Sequence, residues 1–220
     1  MISEEIIKIH KELPVGVQLC AVSKFHTAGA ISEAYSAGQR IFGESRVREL
    51  MEKCKTLPSD IRWHFIGHLQ TNKVRQLIPH VSLIESVDSE RLLNLIDEES
   101  QKAGIVTKVL VQVHVAKEET KFGFLPDELL DYFKSGKFES LKAVQLCGIM
   151  GMASNTDDTV RIRQDFREIA DSRRKILETV PALKGFDTVS MGMSGDWHIA
   201  VEEGSTLVRI GTAIFGARQY

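Results

Sequence analysis

No apolar stretch in this sequence approaches the ~18 consecutive residues that a membrane-spanning helix requires, so a helical membrane protein is excluded. Cysteine is scarce. Cys20, Cys54 and Cys147 are odd in number and lack the close spacing of a metal-binding set, which argues against a disulfide framework and for a reducing compartment. An excess of one charge is also missing, since 28 Lys and Arg face 30 Asp and Glu for a net charge of −2. With no basic block, nothing draws the chain to nucleic acid or to an anionic membrane. The amino terminus, MISEEIIKIHKELP, carries charges where a signal peptide needs an apolar block, so a cytoplasmic location is expected. No Pro/Gly/Ser-rich linker divides the chain, and residues 1–220 are expected to form one domain.

What is present is regular. The hydrophobic content of 43% and charged content of 26% are those of an ordinary globular protein. Ile2, Ile6, Ile9 and Leu13 have helical spacing at the amino terminus. Strand-like apolar runs follow near 17–23, 40–43, 62–67, 82–87, 107–115, 142–150, 186–191 and 206–210. Between them lie amphipathic stretches at 28–37, 46–55, 69–78, 89–103, 127–135 and 159–180. In the last of these, Ile162, Phe166, Ile169, Ile176 and Leu177 make one stripe. Strands alternating with helices imply a parallel sheet covered on both faces. Eight such units favour a single (β/α)8 TIM barrel with an extra amino-terminal helix over an open sheet.

In a barrel of this kind the working residues lie at the carboxyl ends of the strands, and phosphate groups often bind after strands seven and eight. Three segments meet that rule. In QLCAVSKF, Lys24 arrives before the first apolar run has ended, on the face of Val22 and Cys20 if the strand continues. In SMGMSGD, Gly192 and Gly195 permit close backbone approach and Ser194 offers a hydroxyl, with a short helix expected over 196–203 before Gly204. In LVRIGT, Gly211 and Thr212 add amides and a second hydroxyl, while Arg209 sits within an apolar run. Each has a plainer reading as well. Lys24 reads equally as a lysine reaching solvent, Ser194 or Asp196 as a helix cap, and Arg209 as half of a buried ion pair. Together, an amine at a dry rim and a phosphate site point to a phosphorylated aldehyde or ketone.

The segments AVSKF, IFGES, WHFIGHLQTNK, KFG at Lys121–Gly123, GIMGM and VSMGMSGDWHIAVEEGSTLVRIGTAIFGAR resemble the pyridoxal phosphate homeostasis proteins, the YggS-like group. The resemblance runs from about Val17 to Arg218. It implies a barrel like the amino-terminal domain of alanine racemase, carrying pyridoxal 5′-phosphate (PLP). Matched residue by residue, it implies that Lys24 holds the cofactor as an internal aldimine. Ser194, Gly211 and Thr212 would bind its phosphate with Met193 nearby, Arg209 would face the pyridine nitrogen, and Ser45 would lie near the cofactor. Ser45 and His114 depart from the family pattern, which has Asn at both places. His64 reads as a hydrogen-bonded core residue, and His68 stands at the following turn.

The resemblance further implies a carrier that buffers or delivers PLP, with PLP-dependent apo-enzymes as candidate partners, and with no catalytic residues, no metal and a monomeric state. The chain ends at Tyr220, soon after IFGAR, so no second domain is expected to complete a racemase-type site. The competing readings are a small PLP enzyme such as a weak amino-acid racemase, with His114 or water moving the proton, and a Schiff-base aldolase acting on a sugar phosphate.

Overall fold

The structure, a computed structural model, describes residues 1–115 and 122–217. Lys121 of the KFG segment, Arg218 and Tyr220 lie outside the described residues. Among the described residues, eight parallel strands close into a barrel in chain order. They are β1 Gln18–Val22, β2 Ile41–Glu44, β3 Arg62–Phe65, β4 Leu83–Val87, β5 Thr107–Val113, β6 Val144–Gly151, β7 Thr188–Ser190 and β8 Leu207–Ile210. β8 returns to β1 with Gln18 beside Leu207 and Cys20 beside Arg209, so the first and last strands share the rim that Lys24 follows.

The helices that cover the barrel form where apolar stripes meet capping residues. α1 (Ile2–Glu12) buries Ile6 and Ile9 and packs on α2 (Ala28–Ser36). α2 starts where the Thr27 hydroxyl accepts from Ala30 N–H. α3 (Val47–Cys54), α4 (Val74–Leu77), α5 (Glu90–Ala103) and α6 (Pro126–Lys134) follow β2 to β5 in turn. α7 (Thr159–Thr179) is capped by Asp158, whose carboxylate accepts from Val160 and Arg161 N–H. It buries Ile162, Phe166, Ile169 and Ile176, the stripe read from its sequence, with Leu177 partly covered. Each such fully buried large side chain contributes about 1.5–3 kcal/mol. α8 (Trp197–Glu202) and α9 (Thr212–Phe215) are short and flank the rim.

The helix expected over 69–78 is broken. A 3-10 turn at Thr71–Lys73 leads into the four-residue α4, and a second 3-10 turn contains Pro79. Proline has no N–H to donate back along the helix, so the helix cannot run on.

Two apolar clusters result. The larger joins the outer faces of the strands to the helices. The smaller, of Cys20, Ile41, Leu83, Leu110, Met150 and Leu207, fills the barrel interior. Side chains alternate along a strand, so two residues beyond Leu83 and Leu207 the same interior face carries Glu85 and Arg209, toward the carboxyl end.

Candidate functional site

The first rim element is the turn after β1. The strand ends at Val22, two residues before Lys24, so Lys24 does not continue the alternation of Cys20 and Val22. It stands in a turn closed by His26 N–H donating to the Ser23 carbonyl at 3.1 Å. Phe25, the residue after Lys24, has φ of 68°, a left-handed conformation that side chains other than glycine adopt only when their surroundings enforce it. The amine therefore leaves the barrel wall at a sharp corner, and the ammonium that looked aimed along the core lies at its edge, half-buried.

The second element is the loop from β7 into α8. Gly192 has φ of 94°, and a Cβ there would lie 2.6 Å from the Ala200 methyl and 2.9 Å from Trp197 Cα; only glycine lets α8 pack this close. Asp196, first read as a helix cap, turns its carboxylate away from α8 and accepts from Met193 N–H at 2.6 Å. Burial raises its carboxyl above the ordinary range, while that N–H and the Arg209 charge pull the other way. The loop so closed presents Ser194 to the start of α9. Its hydroxyl oxygen accepts from Gly211 and Ala213 N–H, each at 3.3 Å. The Ser194 hydroxyl and the Gly211 amide, both expected to meet an anion, are thus on one spot, joined there by the Ala213 amide.

The third element is Arg209, which is 4% exposed. Its guanidinium donates to Ser190 Oγ at 2.5 Å and to the Gly151 carbonyl at 2.8 Å, and lies 3.7 Å from Glu85. Glu85 also accepts from Ser190 Oγ at 2.6 Å and pairs with His64 Nδ1 at 2.6 Å. Burial alone would raise the Glu85 carboxyl, but the His64 bond and charge, the Arg209 charge and the Ser190 bond outweigh it and hold it below its ordinary value. A buried carboxylate, a serine and a carbonyl hold part of the Arg209 guanidinium, as its plainer reading as half of a buried ion pair expects. His64 is the hydrogen-bonded core histidine expected from its mid-strand position. Cys20, His64 and Glu85 offer possible metal-ligand atoms within 4.8 Å of one another. The cation beside Glu85 there is already Arg209, and burial first, then Glu85, hold the Cys20 thiol well above its usual range, so the ligating thiolate is disfavoured.

These elements enclose a cavity of about 240 Å³ lined by Lys24, Met193, Ser194, Arg209, Gly211 and Thr212, together with Val22, His26, Ile66, Met152 and Gly195. Ser45 is not among them. Ser45, between β2 and α3, lines a different groove with Arg46, Phe65 and His68. His68 lies in that groove too, 2.9 Å from Asp88 and stacked on Phe122. His114 does not line the cavity. His26, which sequence reasoning missed, also lines the cavity and stacks on Phe215 with ring centroids 4.9 Å apart; its place two residues beyond Lys24 was the available clue. A volume of this size suits one substituted ring rather than a dinucleotide. Its lining supplies an amine, a permanent cation, two hydroxyls and backbone amides.

A family model described as "Alanine racemase, N-terminal domain" matches residues 2–219. The pyridoxal phosphate homeostasis protein of Haemophilus influenzae is 38% identical over 207 residues, covering 93% of this chain and 86% of that protein. The mouse protein of the same name is 38% identical over 230 residues, covering 100% of this chain and 84% of its own length. Among solved structures, PipY of Synechococcus elongatus without PLP superposes with a TM-score of 0.93 at 37% identity, over 98% of this chain and 100% of that one. PipY with PLP bound gives 0.90, with the same identity and coverage. Likeness to the alanine racemase of E. faecalis, at 20% identity and a TM-score of 0.75, concerns the fold alone. On its family match, its relatives and its barrel, the chain belongs to the alanine racemase amino-terminal-domain family and, within it, to the pyridoxal phosphate homeostasis proteins.

Proposed function

We propose that this protein binds PLP at the barrel rim, holds it covalently through Lys24 and serves intracellular PLP homeostasis by storing or handing on the cofactor. The observation that carries the reading is the single cavity that brings together Lys24, Arg209, Ser194, Gly211 and Thr212, residues up to 188 positions apart in the case of Lys24 and Thr212. Lys24 would hold the cofactor through its side-chain amine, a nucleophile toward aldehydes whose condensation releases water. The Ser194 and Thr212 hydroxyls and the Gly211 and Ala213 amides suit the phosphate, and Met193 lies beside them. Two of the five donors of Arg209 are placed by Ser190 and Gly151, and the same guanidinium borders the cavity, where it suits the ring nitrogen. Ser45 is left out of this set.

Bound PLP supplies an electron sink whose strength depends on protonation of its ring nitrogen. A buried, permanently charged Arg209 facing that nitrogen disfavours its protonation, which favours holding the cofactor over carbanion chemistry. The relatives are named for homeostasis rather than for a reaction. We take the chain as one domain acting as a monomer in the cytoplasm, with apo-enzymes that need PLP as recipients. None of the helices is long and apolar enough to cross a membrane among the described residues.

The test is reduction of the PLP-loaded protein with borohydride, followed by peptide mapping. The expected result is one label, on the peptide containing Lys24, and its loss in Lys24→Ala with some phosphate-anchored binding retained. Undiminished labelling of Lys24→Ala would refute the site. Steady racemisation or transamination of an amino acid at enzyme-like rates would refute the carrier role.

A further inference from the structure

The corner that bears Lys24 is held from behind by three charged side chains to which nothing above gives a role. Lys53, on α3, is buried and directs its ammonium at three acceptors: the Ser23 carbonyl at 2.9 Å, Glu44 Oε1 at 2.7 Å and Glu49 Oε1 at 2.7 Å. All three of its donors are used. The two carboxylates then reach the residues on either side of Lys24. Glu44 accepts from Ser23 Oγ at 2.5 Å, and Glu49 accepts from Phe25 N–H at 2.6 Å. The Arg46 guanidinium lies 4.5 Å above the Phe25 ring. Residue 23 is thus tied by its carbonyl and its hydroxyl, and residue 25 by its N–H and its ring.

Phe25 is the one non-glycine residue with positive φ among the described residues. Such a conformation persists where the surroundings over-determine it, and here those surroundings are this cluster. An ion pair that only stabilised α3 against the barrel would have no need to bond the backbone on both sides of one lysine.

We propose that Glu44, Glu49 and Lys53 form a clamp that holds the left-handed corner at Phe25 and so fixes where the Lys24 amine stands. Glu49 and Lys53 are accordingly positioning residues for capture of the aldehyde, a role that rests on the PLP-binding reading above. The clamp sets the rate of covalent capture and leaves the phosphate and ring contacts alone.

Glu49 is the residue to change, because its side chain is 20% exposed while those of Lys53 and Glu44 are 8% and 0%. In Glu49→Ala, Lys53 keeps Glu44, so no buried charge is stranded. In Glu49→Gln the side-chain oxygen that accepts from Phe25 survives. For each protein we would measure the rate of covalent capture of PLP, with the label mapped after reduction, and the Kd of pyridoxine 5′-phosphate, which has the same ring and phosphate but no aldehyde. Glu49→Ala is expected to slow capture about tenfold, the scale of one lost hydrogen bond to a charged group. Glu49→Gln should stay within about twofold of the parent, and the alcohol should bind all three alike. Glycine takes positive φ freely, so adding Phe25→Gly to Glu49→Ala should restore much of the lost rate. Parental kinetics in Glu49→Ala, a parallel loss of alcohol binding, or no recovery with Phe25→Gly would overturn the clamp while leaving the cofactor site standing. Label on a lysine other than Lys24 in the parent protein would overturn the site itself, and the clamp with it.

Discussion

Glu85→Gln tests the electrostatics at the base of the cavity. Glutamine can offer its oxygen to Ser190 and its amide group to His64 Nδ1, so the contacts at 2.6 Å need not be lost. What is removed is the charge 3.7 Å from Arg209. Two unit charges about 4 Å apart interact by about 4 kcal/mol at an effective dielectric constant of about 20. Removing one member of a buried pair destabilises by about 3–5 kcal/mol. Urea unfolding at neutral pH should show a loss of that size, and the melting temperature should fall by about 6–20 °C for a chain of this length. The pH dependence has a definite sign. The folded-state pKa of Glu85 is depressed from 4.5, so its stabilisation is complete above that value and disappears as pH falls through the folded pKa. Parent and variant should therefore converge in acid. Adding Arg209→Met should recover much of the loss, because the stranded cation is then gone. A loss below about 1 kcal/mol at neutral pH, or a difference that does not shrink as pH is lowered toward acid unfolding, would refute the idea that Glu85 neutralises Arg209.

Two further outcomes follow from individual side chains. Ser194→Ala removes the oxygen that accepts from Gly211 and Ala213 N–H; PLP affinity should drop about tenfold or more, as measured by titration. The visible band should not move, and a displaced band would place Ser194 at the ring instead of the phosphate. Burial raises the Glu44 carboxyl from 4.5 to about 6, against the pull of Lys53 and Ser23. The folded state then holds this proton more tightly than the unfolded one, so stability declines as pH rises from 4.5 to about 6, by about 2 kcal/mol. Glu44→Gln should abolish that decline in unfolding curves taken across the window, and a parent curve no steeper than the variant's would refute it.

The barrel was legible because it is written in local pattern. Each strand lies within two or three residues of an apolar run in the sequence, and each turn of α7 repeats its stripe. The site was legible as far as residue type at a strand end carries chemistry, which brought out Lys24, Ser194, Arg209, Gly211 and Thr212. What escaped depends on distance along the chain. Ser190 and Glu85 are 105 residues apart, and neither in isolation announces that it will hold a guanidinium. Lys53 reads as one more solvated lysine of an amphipathic helix, and only the closed fold turns it toward Ser23, 30 residues earlier. Ser45 is the one residue of the expected set that lines a different groove, with Arg46 and His68.

The two buried cations at this end of the barrel have their own carboxylates, Lys53 with Glu44 and Glu49, and Arg209 with Glu85. Neither charge is therefore left over to grip a phosphate as a bare ion pair. Around the proposed phosphate position the described lining offers hydroxyls and backbone amides, from Ser194, Gly211 and Thr212, with no lysine or arginine beyond Lys24 and Arg209. Neutral donors bind an anion with less energy per contact than charged ones, and here the Ser194 hydroxyl also accepts from Gly211 and Ala213 N–H. The covalent bond to Lys24 would then supply much of the retention, and it is the reversible part. On the proposed reading, a site that keeps its ligand mainly through the Lys24 amine would suit a cofactor store better than a committed catalyst.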